Sequence, residues 1–195
     1  MSNIHKLLQF TEFSHKFQRI KRQIFITGSD AQENDAEHCF QLALWGWYIA
    51  ASEKLELDQE KIIKYSLAHD LVEIYAGDTF FYSKDQALQD SKQAREQAAA
   101  EKIQQEFPEF AELHQLIHSY ETLADAEARF VYALDKMIPV INIYLDKGRS
   151  WQHDQVTYAM IRTKDAKIAK SAEATKLWEE IIKLLEQHPE YFHAE

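Results

Sequence analysis

Four polar side chains, His38, His69, Asp70 and Asp135, occupy positions that helical spacing assigns to apolar faces. His38 falls in the series His38, Leu42, Trp45, Ile49; His69 follows Ile62 and Tyr65; Asp70 stands between Leu67 and Ile74; Asp135 lies among Val131, Leu134 and Ile138. Each lands on the stripe that an amphipathic helix buries. A buried carboxylate without a partner is strongly destabilising, so these aspartates require a cation or a set of hydrogen bonds. Helices that each offer an inward His or Asp would form a shared cation site. Imidazole nitrogen together with carboxylate oxygen suits a borderline or hard divalent ion such as Mn, Fe, Co, Ni or Zn. Any one of these residues alone also fits a hydrogen-bonded core position; the ordered set is what points to a metal. Pro139 stands four residues after Asp135. It cannot donate to the Asp135 carbonyl and its ring presses on it, so a kink is expected beside the site.

The elements that must position these residues are helices. The 195-residue chain holds only 4 Gly and 3 Pro, too few for the many turns that short strands would need. Hydrophobic spacing predicts a first helix over roughly 2–21, an irregular loop from Ile24 to Asn34, and a second helix from Asp35, a possible cap. A third helix is expected over 58–75, closing at Gly77. Further helices are expected over 91–107, 109–120 and 126–146, with one or two more in 151–187. The expectation is an all-α chain of about seven helices forming one domain over 1–195. Its metal-site core covers about 20–146, and the 151–187 helices pack on it.

Composition narrows the function classes. A net charge of −10 disfavours a nucleic acid polymer as partner, since phosphate contacts carry that affinity. A small phosphorylated ligand remains compatible, because a metal and a few local cations can dominate within a cleft. The chain offers no run of about 18 apolar residues for a membrane span, and Met1–Lys6 lacks the features of a secretory signal. Cys39 has no partner for a disulfide. A cytoplasmic protein is expected.

Several stretches extend the pattern: Ala36-Glu37-His38, Leu67-Ala68-His69-Asp70-Leu71-Val72-Glu73, Tyr75-Ala76-Gly77-Asp78-Thr79, Ala94-Arg95-Glu96-Gln97-Ala98-Ala99 and Leu134-Asp135-Lys136. In these the chain resembles the HD-domain superfamily of metal-dependent phosphohydrolases, and within it the small HD hydrolases that include bacterial 5′-deoxynucleotidases. The likeness runs from the first helix to about residue 146. It implies that His38, His69, Asp70 and Asp135 bind one divalent metal, Mg joining the ions above. It assigns Glu73 to catalysis and Asp78 to the site, and it suggests a homodimer. Glu73 lies three residues beyond Asp70 and four beyond His69, hence on the same helical side, where a carboxylate can manage the proton of a water. The resemblance also calls for a substrate-binding arginine before the first histidine; Arg22 is the candidate and Arg19 the alternative. The chain departs from the deoxynucleotidases at Gln23, where they carry a sugar-selecting Trp, and at Thr79-Phe80-Phe81-Tyr82, where they have a Pro-containing turn.

The resulting expectation is an enzyme that hydrolyses a small phosphomonoester, first of all a nucleoside 5′-monophosphate. Two alternatives stay open: an iron-dependent oxygenase on the same fold, and a non-catalytic nucleotide-binding regulatory module. The oxygenase would need more histidine ligands, for which His114 and His118 have i, i+4 spacing, although solvent-exposed histidines also fit them. Cys39 should point about 100° around the helix from His38, away from a shared metal. Trp45, Trp47 and Tyr48 read as core or subunit-contact aromatics.

Overall fold

A computed structural model describes residues 3–194. The expected helix start at residue 2, and Met1 and Ser2 of the N-terminal segment, lie outside the described residues. Helix α1 (Asn3–Phe17) leads into an antiparallel ribbon of β1 (Lys21–Phe25) and β2 (Gln32–Asn34). Then come α2 (Asp35–Ser52), α3 (Gln59–Ala68), α4 (Glu73–Ala76), α5 (Gln86–Glu106), α6 (Ala111–Glu121) and α7 (Ala126–Leu145). The chain finishes with α8 (Arg149–His153), α9 (Tyr158–Arg162), α10 (Asp165–Ile168), α11 (Ala172–Leu185) and a 3-10 turn at Pro189–Tyr191.

Short polar side chains set most of the long helix starts. Asn34 and Glu37 form a reciprocal capping box at α2, with bonds of 3.0 and 2.9 Å, so Asn34 and not Asp35 is the cap. Asp58, Asp85, Asp125 and Ser171 cap α3, α5, α7 and α11 by accepting from first-turn backbone amides, without the reciprocal bond. Among the described residues seven helices have ten or more residues, as expected. Four shorter ones, α4, α8, α9 and α10, were not anticipated as separate elements.

Four expectations need correction. The first helix ends at Phe17, and the stretch read as a loop pairs Lys21 with Asn34 and Phe25 with Gln32 as a ribbon. Period-two patterning over five residues is too short to stand out beside a helix. The helix expected over 58–75 breaks after Ala68, so that His69–Val72 form a turn before α4. Helix α5 begins five residues earlier than expected, where Asp85 accepts from the Leu88 amide at 3.0 Å.

Helix α7 is the centre of packing. Phe130, Val131, Leu134, Met137 and Ile138 are fully buried along it, with α2 and α3 against one side and α10 and α11 against another. A second apolar cluster, built on Phe13, Ile103, Phe107, Leu113 and Ile117, joins α1, α5 and α6 beneath the His69–Val72 turn. Gly46 lets α2 approach α3: a Cβ there would meet Ile62 Cγ2 at 2.5 Å. The close approach brings His38 on α2 toward His69 at the end of α3.

Candidate metal centre and substrate cavity

His38, His69, Asp70 and Asp135 each bring a ligand atom within 4.8 Å of the others. His38 comes from the second turn of α2, His69 and Asp70 from the break after α3, and Asp135 from the middle of α7. His38 Nε2 lies 2.9 Å from Asp135 Oδ1, and His69 Nε2 lies 3.1 Å from Asp70 Oδ2 and 3.8 Å from Asp135 Oδ1. The Tyr120 hydroxyl donates to Asp135 Oδ2 at 3.4 Å while its ring packs on His69.

The donor set fits a divalent ion. His69 Nδ1 donates to the Ser66 carbonyl at 3.0 Å, which leaves Nε2 as the free ring nitrogen. That Nε2 is buried without a hydrogen-bond partner, as a ligand nitrogen would be before a cation arrives. Burial, with Arg22 nearby, pushes His38 down to about 4, so it is a neutral imidazole at physiological pH. Two imidazole nitrogens and two carboxylates form a buried His/Asp cluster of the kind that binds one divalent metal.

An acidic shell adjoins the cluster. Asp35, Asp70 and Glu73 bring carboxylate oxygens within 4.8 Å of one another, and Asp35 and Glu73 are buried with one oxygen each unpartnered. Burial, then the charge of Asp70, raises Asp35 to about 7 and lifts Glu73 well above the usual carboxylate range. Arg22 is their counter-charge. Its guanidinium meets Glu33 Oε2 at 3.2 Å, Asp35 Oδ1 at 3.4 Å and Asp70 Oδ2 at 3.2 Å.

A cavity opens from this centre. Arg22, Asp70, Glu73, Asp78, Lys92, Asp135 and Lys136 line its polar end, and Ile24, Phe80, Val140, Ile143, Trp151 and Val156 line the rest. Gly77, at a φ of +75° that disfavours other residues, turns the chain so that Asp78 faces the cavity. Arg95 pins this loop by donating to the Ala76 carbonyl and, at 2.8 Å, to Thr79 Oγ1. Pro139 lies inside α7 and lines the same cavity.

Residues 14–178 match the family model described as HD domain. The chain belongs to the HD-domain family. Among HD relatives, the 5′-deoxynucleotidase HDDC2 of Homo sapiens is 29% identical over 133 residues, which cover 67% of this chain and 63% of that protein. The corresponding protein of Dictyostelium discoideum is 28% identical over 145 residues, covering 70% and 75%. The chain thus spans a little under two thirds of the human protein it matches. A crystal structure of a "predicted metal-dependent phosphohydrolase" from Magnetospirillum magnetotacticum MS-1 superimposes with a TM-score of 0.84 at 28% identity, over 99% of this chain and 97% of that one. A conserved hypothetical protein from Pyrococcus furiosus shares the fold alone, with a TM-score of 0.63 at 17% identity over 92% and 99% of the two chains.

On this HD scaffold the residues anticipated from sequence converge. Glu73 and Asp78 stand at the junction of cluster and cavity. Arg22 reaches the centre from β1 and not from a helix end, whereas Arg19 is exposed in the turn before it. Cys39 packs behind the His69 ring, with Sγ 3.8 Å from Nδ1, and its burial pushes the thiol up to about 11. His114, whose Nε2 donates to the Phe107 carbonyl at 2.8 Å, and exposed His118 border a separate surface hollow and do not join the cluster. His114 is half-buried, so the expectation of exposed histidines holds for His118 alone. Glu33, Asp35 and Lys92 escaped the sequence reading as site residues, and Lys136 entered it only as the neighbour of Asp135. Asp35 was visible only as a cap candidate, and nothing in local spacing marked the others.

Proposed function

We propose that this protein is a metal-dependent phosphohydrolase acting on a small phosphomonoester, with a nucleoside 5′-monophosphate as the first substrate to test. The observation that carries this reading is the junction of a buried His/Asp cluster with a cavity presenting Arg22, Lys92 and Lys136 beside Glu73 and Asp78. The name of the curated relatives, 5′-deoxynucleotidase, supports a nucleotide.

In this reading His38, His69, Asp70 and Asp135 hold one divalent ion, drawn from Mn, Co, Fe, Ni, Zn and Mg. Bound there, the ion supplies Lewis-acid polarisation of a phosphoryl oxygen and acidifies a water. Arg22, Lys92 and Lys136 neutralise phosphate charge at the polar end. Glu73, whose affinity for a proton is raised by burial and by the charge of Asp70, exchanges a proton between the attacking water and the leaving alcohol at a carboxylate oxygen. Asp78 orients water or a sugar hydroxyl at the cavity mouth.

The whole chain works as one domain in this proposal, since residues 150–164 complete the cavity that residues 22–143 begin. Phe40, Leu44, Trp47 and Tyr48 form an exposed stripe on α2, with Tyr48 71% exposed, and this supports a homodimer that covers it. A free, buried Cys39 supports the cytoplasm as its compartment. No helix among the described residues is long and apolar enough to cross a membrane.

The test is a panel of phosphomonoesters assayed with metal-stripped and metal-reconstituted protein. Phosphate release from nucleoside 5′-monophosphates that needs a divalent ion is the expected result. A metal-loaded protein that releases no phosphate from any ester, or cleaves triphosphate from nucleoside triphosphates instead, would refute the proposal.

A further inference from the structure

The far wall of the cavity comes from a part of the chain that carries none of the HD stretches. Ser150, Trp151, Asp154, Val156 and Lys164 line it. Lys164 stands apart from the rest. It is only 4% exposed, yet among the described residues no carboxylate oxygen lies within 4.0 Å of its ammonium and no side-chain hydrogen bond holds it. Its close neighbours are ring faces, Phe81 at 4.1 Å and Tyr82 at 5.4 Å, and the buried Tyr82 hydroxyl is itself unpartnered.

The backbone of Lys164 is fixed by its own hydrogen bonds. The Lys164 amide donates to the Ile161 carbonyl at 3.0 Å, and its carbonyl accepts from the Lys167 and Ile168 amides at 2.9 and 3.0 Å. Lys164 therefore sits in a fully bonded turn between α9 and α10, which fixes where its side chain starts. An ammonium on a buried side chain, reaching only the cavity and paired with no carboxylate, is costly, and two aromatic faces offset only part of that cost. Burial, reinforced by the Lys136 ammonium, holds the amine down to about 7. Among the described residues only the more distant Asp135 opposes this, and no carboxylate pairs with the ammonium directly. An anion in the cavity would.

We propose that Lys164 is a substrate-binding residue whose ammonium pairs with an anionic oxygen of the phosphorylated substrate, held toward the cavity by the Phe81 and Tyr82 rings. The C-terminal segment is then part of the specificity machinery and not a passive cover. The organic portion of the substrate lies along the apolar surface of Ile24, Val140, Ile143 and Val156. The assignment rests on the phosphohydrolase reading for its substrate, but the anion site is measurable without turnover.

The experiment compares full-length, metal-reconstituted wild type with Lys164→Met and Lys164→Arg. Inorganic phosphate is titrated calorimetrically, and ester kinetics are run on the same preparations. For Lys164→Met the phosphate Kd should weaken about tenfold or more, as expected for losing a charge-assisted bond. KM should rise in parallel while kcat stays within about threefold and metal content is unchanged. Lys164→Arg should recover most of the affinity. Should Lys164→Met fail to fold, Lys164→Gln serves as the neutral variant. Phosphate affinity within about twofold of wild type in a folded neutral variant overturns the proposal and makes Lys164 a purely structural staple. Phosphate binding that depends on Lys164 in a protein that hydrolyses no ester upholds the anion site and sinks the phosphohydrolase reading. Ester turnover with unchanged KM in the neutral variant does the reverse.

Discussion

Arg22 and Asp70 lie 48 positions apart in the chain, yet Arg22 Nη1 donates to Asp70 Oδ2 at 3.2 Å. The contact ties the β1–β2 ribbon to the turn that carries His69 and Asp70. Because the same guanidinium also meets Glu33 and Asp35, it both neutralises the acidic shell and faces the cavity.

Replacing Arg22 with Ala should therefore have two separable effects. Breaking a buried pair strands its carboxylates, at a cost of roughly 3–5 kcal/mol, visible as a lower midpoint in urea. In protein that remains folded, KM for phosphomonoesters should rise with metal content intact. Arg19→Ala, on an exposed turn, should be silent in both measurements. Equal effects from the two variants would remove Arg22 from substrate binding.

His69→Ala and Asp135→Ala should each lose bound metal, since removal of one ligand weakens the chelate and leaves the others uncompensated. Elemental analysis on dialysed protein checks this. Near-stoichiometric metal in both variants would place the ion elsewhere.

Glu73→Gln should separate metal binding from turnover. The amide keeps the shape and removes a carboxylate that burial already disfavours as an anion, so stability should hold or increase. Single-turnover rates should fall by about 10²–10⁴ at unchanged metal stoichiometry, the scale for losing a positioned acid or base. Full activity would shift attention to Asp78.

Lys164 should leave a signature in the pH dependence of stability. Its amine falls from 10.5 unfolded to about 7 folded, through burial and the neighbouring Lys136, Lys167 and Arg22, with Asp135 opposing. Between those values the unfolded chain binds more protons than the folded one, so this group makes stability rise with pH from about 7 toward 10.5. The full difference corresponds to roughly 4–5 kcal/mol. Urea unfolding at pH 6.5 and 9 should show the rise in wild type and a loss of that component in Lys164→Met, which should also be the more stable protein at the lower pH. Parallel pH profiles for the two proteins would contradict this account.

The sequence by itself determined the helical class, most long-helix positions and the identity of the cluster. Those features are local: apolar periodicity, Asp and Asn caps, and polar residues set on apolar stripes at His38, His69, Asp70 and Asp135. Tertiary structure decided the rest. Arg22 joins Asp70 only because a short ribbon, invisible to helical periodicity, folds against the break after α3. Asp35 and Glu33 read as an ordinary helix entry until that ribbon buries them beside Arg22. Lys164 looks like one more surface lysine among many, since nothing within a few residues marks it as buried. Its placement follows from α10 packing against α7 and from Phe81 and Tyr82 arriving on a loop far earlier in the chain. Spacing along a helix reports which way a residue faces, but only long-range packing reports what it faces.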